Sequence, residues 1–281
     1  MELLKQQVYY RVDALLRSVP INTLFARSVV EGNVSGGVYV DDCRAPRVCY
    51  IAHPYGMSLL FGSTDRQPFN QALLPYLLDA ELRSGQEWLQ VYPAEWSDKL
   101  KEMLGENLTQ VNSDALSATR GQHRVVQNVR ANFCFDPTSH KKLRRNLILP
   151  ENCEIIDDLD TIYQNMHGGV VPRTFWDDQA RFKQRGAAFA LLHKEELVST
   201  AFASSAIDRY LELGIETCKR WRGRGFAVHV CCALIDYCIE RGLEPVWACR
   251  LDNHGSYRLA RKLGFNQVLS IPYYQLPRIT R

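Results

Sequence analysis

The stretch from Tyr210 to Gly242 constrains this chain more than any other. Tyr210-Leu211-Glu212-Leu213-Gly214-Ile215-Glu216-Thr217 reads as a strand, with Leu211, Leu213, Ile215 and Thr217 on one face and Glu212 and Glu216 on the other. Arg220-Trp221-Arg222-Gly223-Arg224-Gly225-Phe226-Ala227 follows and opens a long apolar helix, 225–241, that stops at Gly242. A further strand is expected over 246–250. A strand that enters a helix through a glycine turn and returns as a strand makes an α/β layer.

The turn also carries chemistry. Free backbone N–H groups at a helix start, together with the positive end of its dipole, suit a phosphate or diphosphate. Glycines allow close approach and positive φ, and three arginines in five positions add charge for an anion. The spacing G-x-x-x-x-G-K-[ST] of an ATP loop is absent, and the third glycine of a dinucleotide fingerprint is missing.

The rest of the chain supplies the setting. With 281 residues, 46% of them apolar and 23% charged, the chain can hold one large α/β domain or two smaller ones. Strands are expected at 38–40, 48–52, 57–61 and 88–92, helices at 68–85 and 94–104, and an amphipathic first helix on Leu4, Val8, Val12, Leu15 and Leu16. A hairpin is expected from 187–193 and 197–206 around Lys194-Glu195-Glu196. A short helix closes the pattern at 255–263. The order strand, strand, helix, strand, helix thus occurs twice, in 48–104 and 197–263, and reads as a structural duplication without residue identity. The polar stretch 106–124 is the candidate boundary between the copies.

Net charge is +3, from 34 Lys and Arg against 31 Asp and Glu, which argues against a nucleic-acid partner. The basic stretch 120–145, with seven cations and one acid, reads as linker and solvated surface, with RNA binding as the lesser alternative. No run is long and apolar enough for a membrane span, and no signal peptide is recognisable. The nine cysteines include no C-x-x-C pair, so reduced thiols, a cytoplasmic location and no metal are expected.

The pattern R-x-x-G-x-G at Arg220–Gly225 resembles the acyl-CoA signature of the GNAT superfamily of N-acetyltransferases. Asn253-His254-Gly255-Ser256-Tyr257-Arg258-Leu259-Ala260-Arg261-Lys262-Leu263-Gly264-Phe265 is similar to that superfamily's second block. The resemblance implies a C-terminal GNAT domain at 126–281, with a mixed, mostly antiparallel sheet flanked by helices. A smaller α/β domain at 1–125 would precede it and read as a degenerate GNAT-like unit that binds no CoA. The full layout resembles a subfamily with a long N-terminal region.

The resemblance further implies acetyl-CoA as co-substrate and a small-molecule or peptide amine as acceptor. The diphosphate would rest on the turn, on Arg220, Arg222, Gly223, Arg224, Gly225, Phe226 and Ala227. The pantetheine arm would pair with Ile215 and Thr217 and meet Asn253 and Ser256. Direct attack of the amine on the thioester needs a base, for which Glu212 comes first and Glu216 second; partnership with surface arginines is the other reading of both. Many members carry a Tyr where this chain has Ala260, so Tyr257, one turn earlier, either replaces it as acid or only packs. That departure also leaves room for a non-catalytic acyl-CoA sensor. Cys218 is a lesser candidate, as a nucleophile. Phe175-Trp176-Asp177-Asp178 reads either as an acceptor wall for a cation or, with better reason, as a helix start packed on the core.

Overall fold

The computed structural model describes residues 1–83, 85–110 and 124–277. Contacts divide the chain into two compact units. The first holds Met1–Arg130, Arg250–Asp252 and the chain from Ser270 on; the second holds Ala131–Cys249 and Asn253–Leu269. The stretch from Ser270 on therefore groups with the first unit, where the sequence suggests a single cut after residue 125. The unit limits fall inside three strands. Of the polar stretch 106–124, residues 111–123 lie outside the described residues.

In chain order the first part contains β1 (Glu2–Leu3), α1 (Asp13–Arg17), α2 (Leu24–Val30), β2 (Gly37–Val40), β3 (Val48–His53), β4 (Met57–Gly62), α3 (Gln67–Leu78), β5 (Trp88–Tyr92), α4 (Glu95–Leu104), β6 (Leu108–Gln110) and β7 (Val125–Phe135). There follow α5 (Pro137–Arg145), β8 (Cys153–Ile156), α6 (Leu159–Asn165), α7 (Gln179–Arg185), β9 (Ala188–His193), β10 (Glu196–Ile207) and β11 (Tyr210–Thr217). The chain ends with α8 (Phe226–Glu240), β12 (Glu244–Val246), β13 (Ala248–Arg250), α9 (His254–Leu263) and β14 (Phe265–Gln275).

Two expectations are corrected locally. The first helix is broken: Gln6–Val12 is 3-10 with a non-helical Val8, and only Asp13–Arg17 is α-helical. Leu4, Val12 and Leu16 are nonetheless buried, so the apolar stripe is met by a kinked segment. The expected helix over 68–85 ends at Leu78, and Ala80–Leu82 continues as a 3-10 turn.

In the first unit, β3 and β4 are antiparallel, α3 follows, and β5 returns parallel to β4. One face of this sheet buries Val38, Ile51, Leu59 and Phe61 with Phe25 and Val29; the other buries Tyr50 and Leu60 with Phe69, Leu73 and Trp96. In the second unit, β10 and β11 are antiparallel, α8 follows, and β12 returns parallel to β11. The same connection thus occurs once in each unit, on sequences without evident identity. The second unit's sheet runs β12-β11-β10-β9-β8 and is antiparallel except at β11–β12.

The copies differ in how far the parallel pair extends. β4 and β5 stay in register from Met57–Trp88 to Phe61–Tyr92. β11 and β12 share only Tyr210–Glu244, Leu211–Pro245 and Glu212–Val246. Beyond that point β12 stops, and the single strand expected over 246–250 is two. Trp247 is buried, its carbonyl accepts from Phe133 N–H at 3.2 Å, and Ala248–Arg250 joins the other sheet.

Candidate active site at the open edge of β11

The parting of β12 from β11 leaves Leu213–Thr217 with a strand partner on one side only. On that side Cys218 N–H donates to Val198 C=O at 2.9 Å. Alternation along the strand then turns the main-chain groups of Ile215 and Thr217 toward the open side. Two bonds agree with this phase: Glu244 N–H reaches Arg209 C=O at 2.7 Å, and Arg222 Nε reaches Thr217 C=O at 3.0 Å. Ile215 N–H and C=O and Thr217 N–H form the edge to which an extended amide-bearing ligand can add as a strand.

The turn closes the end of this edge. Lys219–Trp221 makes one 3-10 turn, and Gly223 and Gly225 take φ of +79° and +84°. Gly225 is the left-handed N-cap of α8, a conformation that costs an ordinary residue about 1–2 kcal/mol. Among the described residues, no protein acceptor meets the backbone N–H groups of residues 223–227. They are the donors that a helix start cannot satisfy internally, gathered beside the positive end of the α8 dipole.

Each arginine of the turn is held by a different partner. Arg220 and the Trp221 indole N–H both donate to the Glu196 carboxylate, and the Arg220 hydrogen bond keeps that carboxyl below its usual range. Arg224 stacks over the Trp221 ring, 4.6 Å from its centroid, and the ring packs with Phe226 and His193. Arg222 donates through Nη2 to Glu216 Oε1 at 2.9 Å.

Glu212 and Glu216 share a face of β11 but not an environment. The Glu212 residue is 8% exposed and occupies the last register position before the strands part. Between Ala203 and Ser205 the register slips, so Ser204 is an extra residue opposite Glu212; its hydroxyl donates to Glu212 C=O at 3.0 Å. Glu216 has both oxygens engaged. Oε1 takes Arg222, and Oε2 accepts from the N–H groups of Gly169 and Val170 at 3.1 and 3.2 Å. This link to 168–170 was not foreseen from the sequence, although the Gly168-Gly169 pair was a signal available to read.

The second block lies on α9. Asn253 caps the helix, its side chain accepting from Ser256 N–H at 3.2 Å, and Ser256 Oγ accepts from the Trp247 indole at 3.2 Å. Tyr257 is half-buried against Phe133 and donates to Gln267 Oε1 at 2.9 Å. Ala260 faces inward beside Leu263, and both are fully buried.

Other candidates take structural places. Phe175 and Trp176 are core residues, with the Trp176 indole on Ala203 C=O at 2.8 Å, and Asp178 caps α7 through Arg181 N–H. The Cys218 thiol donates to Leu197 C=O. Burial pushes the Cys232 and Cys238 thiols up to about 12, which leaves them unreactive. Within the basic stretch, Arg130 is buried over the Tyr273 ring and does not belong to a solvated surface, whereas Arg144 is exposed and pairs with Asp236. Among the described residues there is no cluster suited to a metal ion, and no helix is long and apolar enough to cross a membrane.

The family model described as GNAT acetyltransferase matches residues 15–274. The chain belongs to the GNAT acetyltransferase family. The acetyltransferase is 26% identical over 254 residues to the uncharacterized N-acetyltransferase YdfB of Bacillus subtilis (strain 168), covering 89% of each chain. Its fold is similar to that of a GCN5-related N-acetyltransferase-like protein from Streptococcus suis 89/1591, with a TM-score of 0.69 at 22% identity over 96% of this chain and 98% of that one. It is also similar to a tandem GNAT protein from the clavulanic acid biosynthesis pathway, with a TM-score of 0.61 at 11% identity over 100% and 98% of the two chains. Of the two readings open at the level of sequence, enzyme and acyl-CoA sensor, family membership supports the enzyme. The acetyltransferase has the expected mixed α/β fold with helices flanking its sheets.

Proposed function

We propose that the second unit transfers an acetyl group from acetyl-CoA to a primary amine at the open edge of β11. The observation that carries this reading is the strand fork at Glu212–Val246, which ends in a turn whose N–H groups at 223–227 have no protein acceptor among the described residues. A diphosphate suits those N–H groups, and the amides of a pantetheine arm suit Ile215 and Thr217. Asn253 and Ser256 remain candidates for the far side of the arm.

When bound, acetyl-CoA supplies a thioester carbonyl open to attack. The chain's own groups do the rest. The open edge of β11 holds the reacting carbonyl and offers backbone N–H donors to its oxygen as negative charge develops. Glu212, buried at the fork, takes the proton that the amine gives up, directly or through a water. The tetrahedral intermediate then collapses with cleavage of the C–S bond, and CoA leaves as a thiolate that takes a proton from water. The Tyr257 hydroxyl already gives its hydrogen to Gln267, so the proposed proton path rests on Glu212.

The first unit supports a different role. Its parallel pair does not fork, and the turn after β4 carries Asp65, while Asp41 of the β2–β3 loop reaches the same turn by accepting from Arg66, besides Arg47 N–H and Val48 N–H. These carboxylates repel a diphosphate, which supports a unit that binds no CoA.

The test is release of free CoA thiol from acetyl-CoA with a panel of small amines, amino sugars and peptides. Release with at least one amine, reduced by Glu212→Gln, is the expected result. Tight acetyl-CoA binding without release for any amine, and no effect of Glu212→Gln, would overturn the proposal.

A further inference from the structure

The Glu216 carboxylate joins two segments that are far apart in the chain. Oε2 accepts from Gly169 and Val170 N–H, while Oε1 holds Arg222, the residue that begins the glycine turn. Arg222 is fixed a second time through Nε on Thr217 C=O. The fit on the loop side is close. Gly168 has φ of +141°, and a Cβ there would lie 2.6 Å from both Glu216 Cγ and Oε2. The loop leads directly into Val171, Phe175 and Trp176, which are buried, with Trp176 bonded to β10 and Phe175 packed on Phe202. Phe202 in turn fills the space left by Gly214, on the face of β11 that carries Glu212 and Glu216.

We propose that Glu216 is a positioning residue that couples occupation of the glycine turn to the order of the 168–170 loop, which walls the glutamate face of β11. The inference rests on the reading of that turn as the CoA diphosphate site. Two of the guanidinium nitrogens of Arg222 are spent on protein acceptors, and its planar fork leaves further N–H groups for an anion. A diphosphate that engages Arg222 fixes the guanidinium. The fixed guanidinium holds Glu216 Oε1, and the same carboxylate then retains the Gly169 and Val170 N–H groups through Oε2. The coupling is reciprocal, so a disturbance of the loop weakens binding at the turn.

The test uses the full-length protein and CoA itself as probe. Calorimetry gives CoA affinity, and amide hydrogen exchange over 166–172 reports the loop, for the wild type, Glu216→Gln and Gly168→Ala. Glu216→Gln keeps the shape but replaces one acceptor oxygen by a donor. Gly168→Ala acts from the loop, at a residue the proposed CoA site does not include. In the wild type, CoA is expected to slow exchange at Gly169 and Val170. Both variants should lose that slowing and bind CoA about tenfold more weakly, the scale of one charge-assisted hydrogen bond. If Gly168→Ala fails to fold, Glu216→Gln alone decides. Wild-type CoA binding without any change in loop exchange, or unaltered CoA affinity in a folded variant, overturns the coupling and leaves the proposed function intact. Absence of CoA binding to the wild type overturns both.

Discussion

Glu212 of β11 stands opposite Val246 of β12, and this is the last register pair those two strands share. The carboxylate therefore belongs to the point where a continuous sheet becomes an open edge. The fork follows from what comes after β12: Trp247, the residue after Val246, turns inward, and its carbonyl accepts from Phe133 N–H. In the first unit β5 is not drawn away in this manner, and its parallel pair with β4 runs on to Tyr92.

If Glu212 is the base, Glu212→Gln lowers kcat by roughly 10²–10⁴-fold while CoA affinity is retained. Steady-state kinetics beside calorimetry separates the two quantities. An unchanged kcat would remove the assignment.

Gly225 takes φ of +84° with open space around its missing Cβ, so Gly225→Ala introduces strain without a clash. The strain of roughly 1–2 kcal/mol falls on the turn, and weaker CoA binding is expected. Gly255→Ala, in the first turn of α9 with only Asn253 Oδ1 within 4 Å, should be neutral or stabilising by up to ~1 kcal/mol. Equal CoA affinities for the two variants would argue against the turn as the binding site.

Restoring the tyrosine that many family members carry is expected to fail here. Ala260 is 0% exposed and packs inward from α9, so Ala260→Tyr overfills the core at a cost of about 1–3 kcal/mol or more. Denaturant unfolding should show the loss. A stable variant with a faster rate would mean that the position opens onto the reacting groups.

The second unit should also lose stability in acid through Asp236. Burial raises the pKa of its carboxyl, but the His140 hydrogen bond and the Arg144 pair outweigh burial and leave it lowered from 3.8. A lowered folded-state value contributes stability above the ordinary carboxylate range, and that contribution disappears as pH falls through the folded value. Asp236→Asn should therefore be less stable than the wild type at neutral pH, with the gap narrowing below about pH 4. A gap that is constant from pH 7 to pH 3 would contradict the ion-pair origin.

Much of the site was legible because it depends on neighbours in the chain. The alternation of 210–217 and the two glycines that need positive φ are local requirements, and the structure has both where the residues stand. The repeated strand, strand, helix, strand order was legible for the same reason, since apolar period and turn residues mark each element. The long strand expected over 246–250 was not divisible from its own residues, because its apolar run satisfies either one strand or two.

What the amino-acid sequence determined by itself is the kind of turn and the elements on either side of it. The tertiary structure decided how much of β11 stays open, since that depends on where the Trp247 carbonyl finds a donor, here Phe133 N–H. It also decided the different circumstances of two glutamates that look equivalent in the strand. Glu212 lies at the fork, whereas Glu216 is claimed by Gly169 and Val170, more than forty residues earlier in the chain. A period-two pattern assigns both side chains to one face, but only the packed segments across that face determine which donors each carboxylate meets.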